Sequence, residues 1–167
     1  MELVLVALLV AQGVMGGIDT LLNHEIIARL PHRAESRGEL GLHVLREANY
    51  ALIFGGLAWF TWEGWAAAML AALFAAEIAI TAFDELVENR TRVLPQNERV
   101  LHVFLTLNLG MIVAVAVPLL WQWFARPTGW QGRSFGGLSW ALTVLALAGA
   151  MWAVRDFIAR SRLKQRS

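Results

Sequence analysis

Residues 96–124 read QNERVLHVFLTLNLGMIVAVAVPLLWQWF. After Glu98, Arg99 and His102 there is no further ionisable side chain in this stretch. A membrane-spanning helix needs about 20 mostly apolar residues at 1.5 Å per residue, so the spacing predicts a spanning helix over 96–124. One end carries the charges. The other carries Trp121 and Trp123, and tryptophan favours the headgroup level. Leu94-Pro95 precedes the helix as a break, because the residue before a proline resists helical geometry. Arg126–Gly137 follows as the longest loop, with its proline and four glycines.

Working outward, the same pattern recurs. A helix is predicted over about 64–90. Before it, the segment Trp59-Phe60-Thr61-Trp62-Glu63-Gly64-Trp65 reads as an interfacial turn. A helix over about 36–60 is continuously apolar only in its later half, Ala48–Phe60. Leu3–Leu22 qualifies as a span and runs on through a polar end to Leu30, giving a helix over about 3–30 that Pro31 stops. Pro31–Gly38 is a short polar loop containing arginine. Downstream, a fifth helix over about 138–160 leads into the basic tail Arg160–Ser167. Met1-Glu2-Leu3 lacks the basic start of a cleavable signal peptide, so residues 3–23 are expected to be retained.

Composition agrees with a membrane protein: the chain is 57% hydrophobic and 16% charged, against about 25% charged in soluble domains. Its length, 167 residues, suits one membrane domain, 1–167, and no separate soluble one. The absence of cysteine excludes disulfides, thiolate-bound zinc, iron–sulfur clusters and thiol catalysis. All 14 basic residues except Arg126 and Arg133 fall on one side if the 31–38 loop, the 88–99 loop and the tail share it. Such clustering marks the cytoplasmic side. The expectation is an integral protein of a bacterial inner membrane, with the N-terminus outside and the C-terminus cytoplasmic.

Ionisable groups inside membrane helices are costly unless paired, metal-bound or wetted, which makes them functional candidates. Here they gather toward the cytoplasmic half of four helices. Helix one offers Asp19, His24 and Glu25; helix two offers Glu39, His43 and Glu47, with Tyr50 further along. Helix three offers Glu77, Asp84, Glu85 and Glu88, and helix four offers Glu98 and His102. Glu39-Leu-Gly-Leu-His43-Val and Glu98-Arg-Val-Leu-His102-Val share an i,i+4 Glu–His pair on one helical face. Fourteen residues before each glutamate stands another carboxylate, Glu25 and Asp84. This reads as a degenerate repeat of a helical hairpin.

Two such hairpins make a four-helix bundle, the architecture in which dinuclear carboxylate sites are built from single carboxylates on two helices and Glu–His pairs on the others. Over about residues 19–105 the pattern resembles the ferritin-like di-iron carboxylate proteins and, among membrane-associated members, the alternative oxidases. Those families carry the pair at i,i+3, whereas both pairs here are i,i+4. The resemblance implies an all-α membrane bundle: a four-helix metal-binding core of two helical hairpins plus a fifth transmembrane helix. It implies two metal ions held by Glu39, His43, Glu98 and His102 together with Glu25 and Asp84 or Glu88. It also implies a di-metal oxidoreductase that uses dioxygen to oxidise, hydroxylate or desaturate its substrate.

The donor set suits Fe first, then Mn or Zn. Asp19, His24, Glu47, Tyr50 and Glu77 are expected to supply surrounding hydrogen bonds or a proton path. The expected partners are the lipid bilayer, a lipophilic small-molecule substrate and an electron donor, with no nucleic acid; the basic tail reads as attraction to anionic lipid. Glu47 also reads as the partner of an arginine such as Arg46, Glu85 as a solvated or arginine-paired residue, and His32 as a surface residue. Gly13, Gly16 and Gly17 read as permitting close helix packing. Two other functions fit parts of the pattern: a haem-binding electron-transfer bundle with His43 and His102 as axial ligands, and a proton or metal-ion transporter.

Overall fold

The computed structural model describes residues 1–164; Arg166 of the basic tail lies outside the described residues. The described residues are all-helical apart from one short ribbon. Helix α1 spans Glu2–Asp19 and continues as a π-helix over Thr20–Ile27. Two 3₁₀ turns, Leu30–His32 and Ala34–Ser36, lead into α2, Arg37–Trp59. Strand β1, Phe60–Glu63, precedes α3, Trp65–Thr91, and α4 runs Gln96–Phe124. Strand β2, Gly129–Gly132, then leads to α5, Gly137–Lys164.

The first helix stops before Leu30. Arg29 takes the left-handed conformation at φ 53°, and the Ala28 amide donates to the Asn23 carbonyl five residues back, at 2.8 Å. The turn expected at 59–65 contains β1, which pairs antiparallel with β2 in the register Phe60↔Gly132 to Glu63↔Gly129. Trp62 and Trp130 stand opposite one another, edge to face at 6.4 Å. Arg126 caps the ribbon by donating to Glu63 at 2.5 Å. Two loops rich in glycine and tryptophan thus satisfy each other's backbone at the tryptophan-rich end.

Among the described residues four stretches are long and apolar enough to cross a membrane: Glu2–Ile27, Trp65–Thr91, Gln96–Phe124 and Gly137–Leu163. Helix α2 is long enough at 23 residues but carries Arg37, Glu39, His43, Arg46 and Glu47 in its first half. Its neighbours shield it. α5 packs along it closely, as a Cβ on Gly149 would meet the Glu47 carbonyl at 3.2 Å and one on Gly41 would meet the Arg160 guanidinium at 3.0 Å. α1 packs on α4, α4 on α3, α3 on α2, α2 on α5, and α5 back on α1. The fifth helix is therefore a wedge between the first two.

The end bearing the ribbon is filled by Leu5, Leu9, Ile53, Leu70, Ile112, Leu119, Trp123 and Leu142, all buried. At the opposite end buried ionisable side chains gather beside a small apolar cluster of Leu30, Leu40 and Leu163. The layering expected from the sequence is present.

Candidate metal centre

The π-helix shapes the α1 side of the site. In an α-helix, residues five apart point to different sides, whereas the i→i+5 repeat of a π-helix stacks them. Asp19 and His24 are five apart and face the same interior, with Asp19 Oδ2 3.6 Å from His24 Nε2. Asn23 donates to Asp19 Oδ1 at 2.7 Å, and Asn97 of α4 donates to Asn23 at 2.8 Å. The same widening turns Glu25 away. Its carboxylate pairs with Arg155 of α5, so the structure does not bring it to the other expected ligands.

α2 presents Glu39 and His43 one turn apart, both buried. His43 stacks on His24 with ring centroids 4.3 Å apart. α4 presents Glu98 and His102 one turn apart as well, Glu98 buried and His102 partly buried. Glu98 Oε1 lies 3.3 Å from His24 Nε2, and His102 Nε2 lies 3.1 Å from Asp19 Oδ2. α3 contributes Glu88, with Oε2 3.5 Å from His102 Nδ1 and Oε1 3.9 Å from His24 Nε2.

Among the described residues three groups have donor atoms close enough to share an ion, and two of them lie in the interior. One is Asp19, His24, Glu98 and His102; the other is His24, Glu39, His43 and Glu88. A third, Glu85, Glu88 and His102, reaches the surface through Glu85. His24 and Asp19, expected to stand behind the ligands, are in the middle of them. Of Asp84 and Glu88, it is Glu88 that joins these groups. Asp84 Oδ2 is held by Arg46 at 2.8 Å and lies 3.7 Å from His43 Nε2. The two carboxylates placed fourteen residues before the Glu–His pairs, Glu25 and Asp84, are thus both engaged by arginines.

Of the remaining expected residues, Glu77 accepts from Asn49 at 3.1 Å and lies 3.5 Å from Arg46. Arg46 is accordingly committed to α3, and Glu47 Oε2 is buried without a partner. Tyr50 lies deeper, its hydroxyl buried and also unpartnered. His32 is exposed.

The residue that sequence reasoning missed is Arg92, counted there only as an orientation signal. Its guanidinium donates to Glu39 at 2.9 Å, to Glu88 at 3.1 Å and to Glu98 at 2.5 Å. Burial works against its charge, but the hydrogen bonds to Glu98 and Glu39 outweigh that and raise its pKa further. Its place three residues before Pro95, between Glu88 and Glu98, was the available signal.

Arg92 leaves several donor atoms unsatisfied. His24 Nδ1 and Nε2, Glu39 Oε2, His43 Nε2, Asp84 Oδ1 and Glu88 Oε2 are buried with no hydrogen-bond partner. An unpaired buried polar group costs about 1–3 kcal/mol, more if charged. Converging hard carboxylate and borderline imidazole donors with free lone pairs fit a first-row transition-metal ion. No family model, no curated protein and no solved structure matches this chain.

Proposed function

We propose that the chain is a membrane-embedded dinuclear metalloenzyme of the di-iron carboxylate kind, using dioxygen to oxidise, hydroxylate or desaturate a lipophilic substrate. The observation that carries this reading is the pair of overlapping ligand groups on four elements, with buried donor atoms that no protein group satisfies. Three histidines and four carboxylates make up the pair. Two divalent ions would balance the charge of Asp19, Glu39, Glu88 and Glu98, leaving Arg92 as a hydrogen-bond donor around them. Such ions, when bound, supply dioxygen activation. The protein's own residues hold them in register, keep Asp84 and Glu77 anchored to Arg46, and wall off water with the apolar end.

The ligands come from α1 with its π segment, α2, α3 and α4, which supports a four-helix metal-binding core with α5 as an additional helix. The arginine distribution supports a cytoplasmic position for this end in a bacterial inner membrane, with the N-terminus outside. An electron donor on that side completes the scheme. The haem reading has less behind it, since His43 stacks face to face on His24 and the carboxylates would have no role.

Metal analysis by plasma mass spectrometry on protein purified in mild detergent without chelators tests the reading. About two Fe or Mn per chain and no Soret band are expected. His24→Ala and His43→Ala should each lower that content by half or more, whereas Glu25→Gln should leave it unchanged. Metal-free wild-type protein, or full stoichiometry in both histidine variants, would sink the assignment.

A further inference from the structure

A cavity of about 250 Å³ adjoins the candidate ligands. It runs from His24, His43 and Glu88 inward along α1 to Tyr50 and Gln12. His43 and Tyr50, like Asp19 and Gln12, are seven residues apart, so its two ends stand about 10 Å from one another at 1.5 Å per residue. The wall from α2 and α3 is charged, where Arg46 bridges Asp84 and Glu77. The wall from α4 and α5 is apolar and includes Leu105, Leu109, Leu145 and Trp152.

The α1 wall includes Gly13, Gly16 and Gly17, which share one helical face between Gln12 and Asp19. Glycine in a membrane helix ordinarily lets a neighbouring helix approach. Gly13 does so, because a Cβ there would lie 2.7 Å from a Leu145 methyl. Gly16 and Gly17 do not, because a Cβ on either would meet nothing within 4 Å; the packing role expected of them is corrected accordingly. Gly17 is exposed at the surface of a segment apolar enough to span a membrane. The missing side chains therefore leave a slot from the lipid-facing surface to a chamber where Tyr50 Oη, His43 Nε2 and Glu88 Oε2 are buried and unpartnered.

We propose that this chamber binds one unbranched alkyl chain of a membrane lipid, which enters beside Gly16 and Gly17 and lies against the apolar wall facing the carboxylate–histidine cluster. The substrate class deepens the metalloenzyme reading and takes its chemistry from it, but its binding is testable without it. Size selects the class. A cavity of about 150 Å³ holds one benzene ring, and drug-sized ligands need about 300–1,000 Å³. The chamber admits a slender chain segment and is too small for a steroid-sized or two-chain body. The slot faces the phase in which alkyl chains are the solvent.

The test uses a palmitic acid analogue with a mid-chain diazirine, photolysed with the full-length protein in phosphatidylcholine vesicles, and peptide mass spectrometry to locate adducts. Adducts are expected within residues 13–20 and 145–152, and unlabelled palmitic acid should compete for them. Gly16→Leu and Gly17→Leu should each reduce these adducts about tenfold or more. Labelling of lipid-facing Phe104, the unfolding temperature and the metal content should stay unchanged. Adducts confined to lipid-facing residues, chamber adducts undiminished in both variants, or competition by a short-tailed quinone but not by palmitic acid would overturn the proposal. Chamber labelling that persists in a protein holding no metal would uphold the alkyl site and count against the metalloenzyme alone.

Discussion

Arg92 shows how one side chain sets the electrostatics of the cluster. Glu39, Glu88 and Glu98 converge on a guanidinium whose side chain is 7% exposed, so three buried carboxyl groups share one arginine. Removing one partner of a buried ion pair costs about 3–5 kcal/mol, because the remaining charge is left uncompensated. Arg92→Gln should lower the thermal unfolding temperature of metal-free protein by a corresponding amount. The loss should be smaller after loading with Fe(II) or Mn(II), since the ions bring positive charge to the same carboxylates. Equal losses with and without metal would show that Arg92 is not part of the site's charge balance.

At the scale of the element, the π-helix Thr20–Ile27 fixes which residues of the first helix face inward. Deleting Leu22, which is 42% exposed, should convert the segment to an α-helix in which Asp19 and His24 are four apart and still stacked. Adding one alanine between Thr20 and Leu21 should separate them onto different faces. Metal content should survive the deletion and fall by half or more with the insertion; the opposite order would refute the stacking argument. This segment also marks where the sequence stopped being legible. A 3.6-residue period makes Glu25 a plausible inward group and gives Asp19 and His24 no common face, so a local change of helix type reverses both assignments. The pairs Glu39–His43 and Glu98–His102 were legible because their helices are regular, and α4 runs over the expected 96–124. The β1–β2 ribbon was not legible, since residues 60–63 and 129–132 read as turn and loop until the other strand is known.

For the whole molecule, hydropathy gives the apolar spans but not their neighbours. Nothing in α5 announces that it lies between α1 and α2, because glycine contacts such as Gly149 against Glu47 depend on both helices at once. Orientation is open to direct measurement because the chain has no cysteine. With single-cysteine variants Arg33→Cys and Gln131→Cys, both at exposed positions, an impermeant maleimide applied to spheroplasts should label only Gln131→Cys. In inside-out vesicles the labelling should exchange; the reverse result would invert the topology. The wedge also bears on how the chain is made. Every candidate ligand precedes residue 103, yet the helix that closes the seam between α1 and α2, and whose Arg155 engages Glu25, is synthesised after all of them. These distant contacts can form only after their last partner has emerged. The ring of helices therefore closes only once the α5 segment has left the ribosome, after every candidate ligand has already been made.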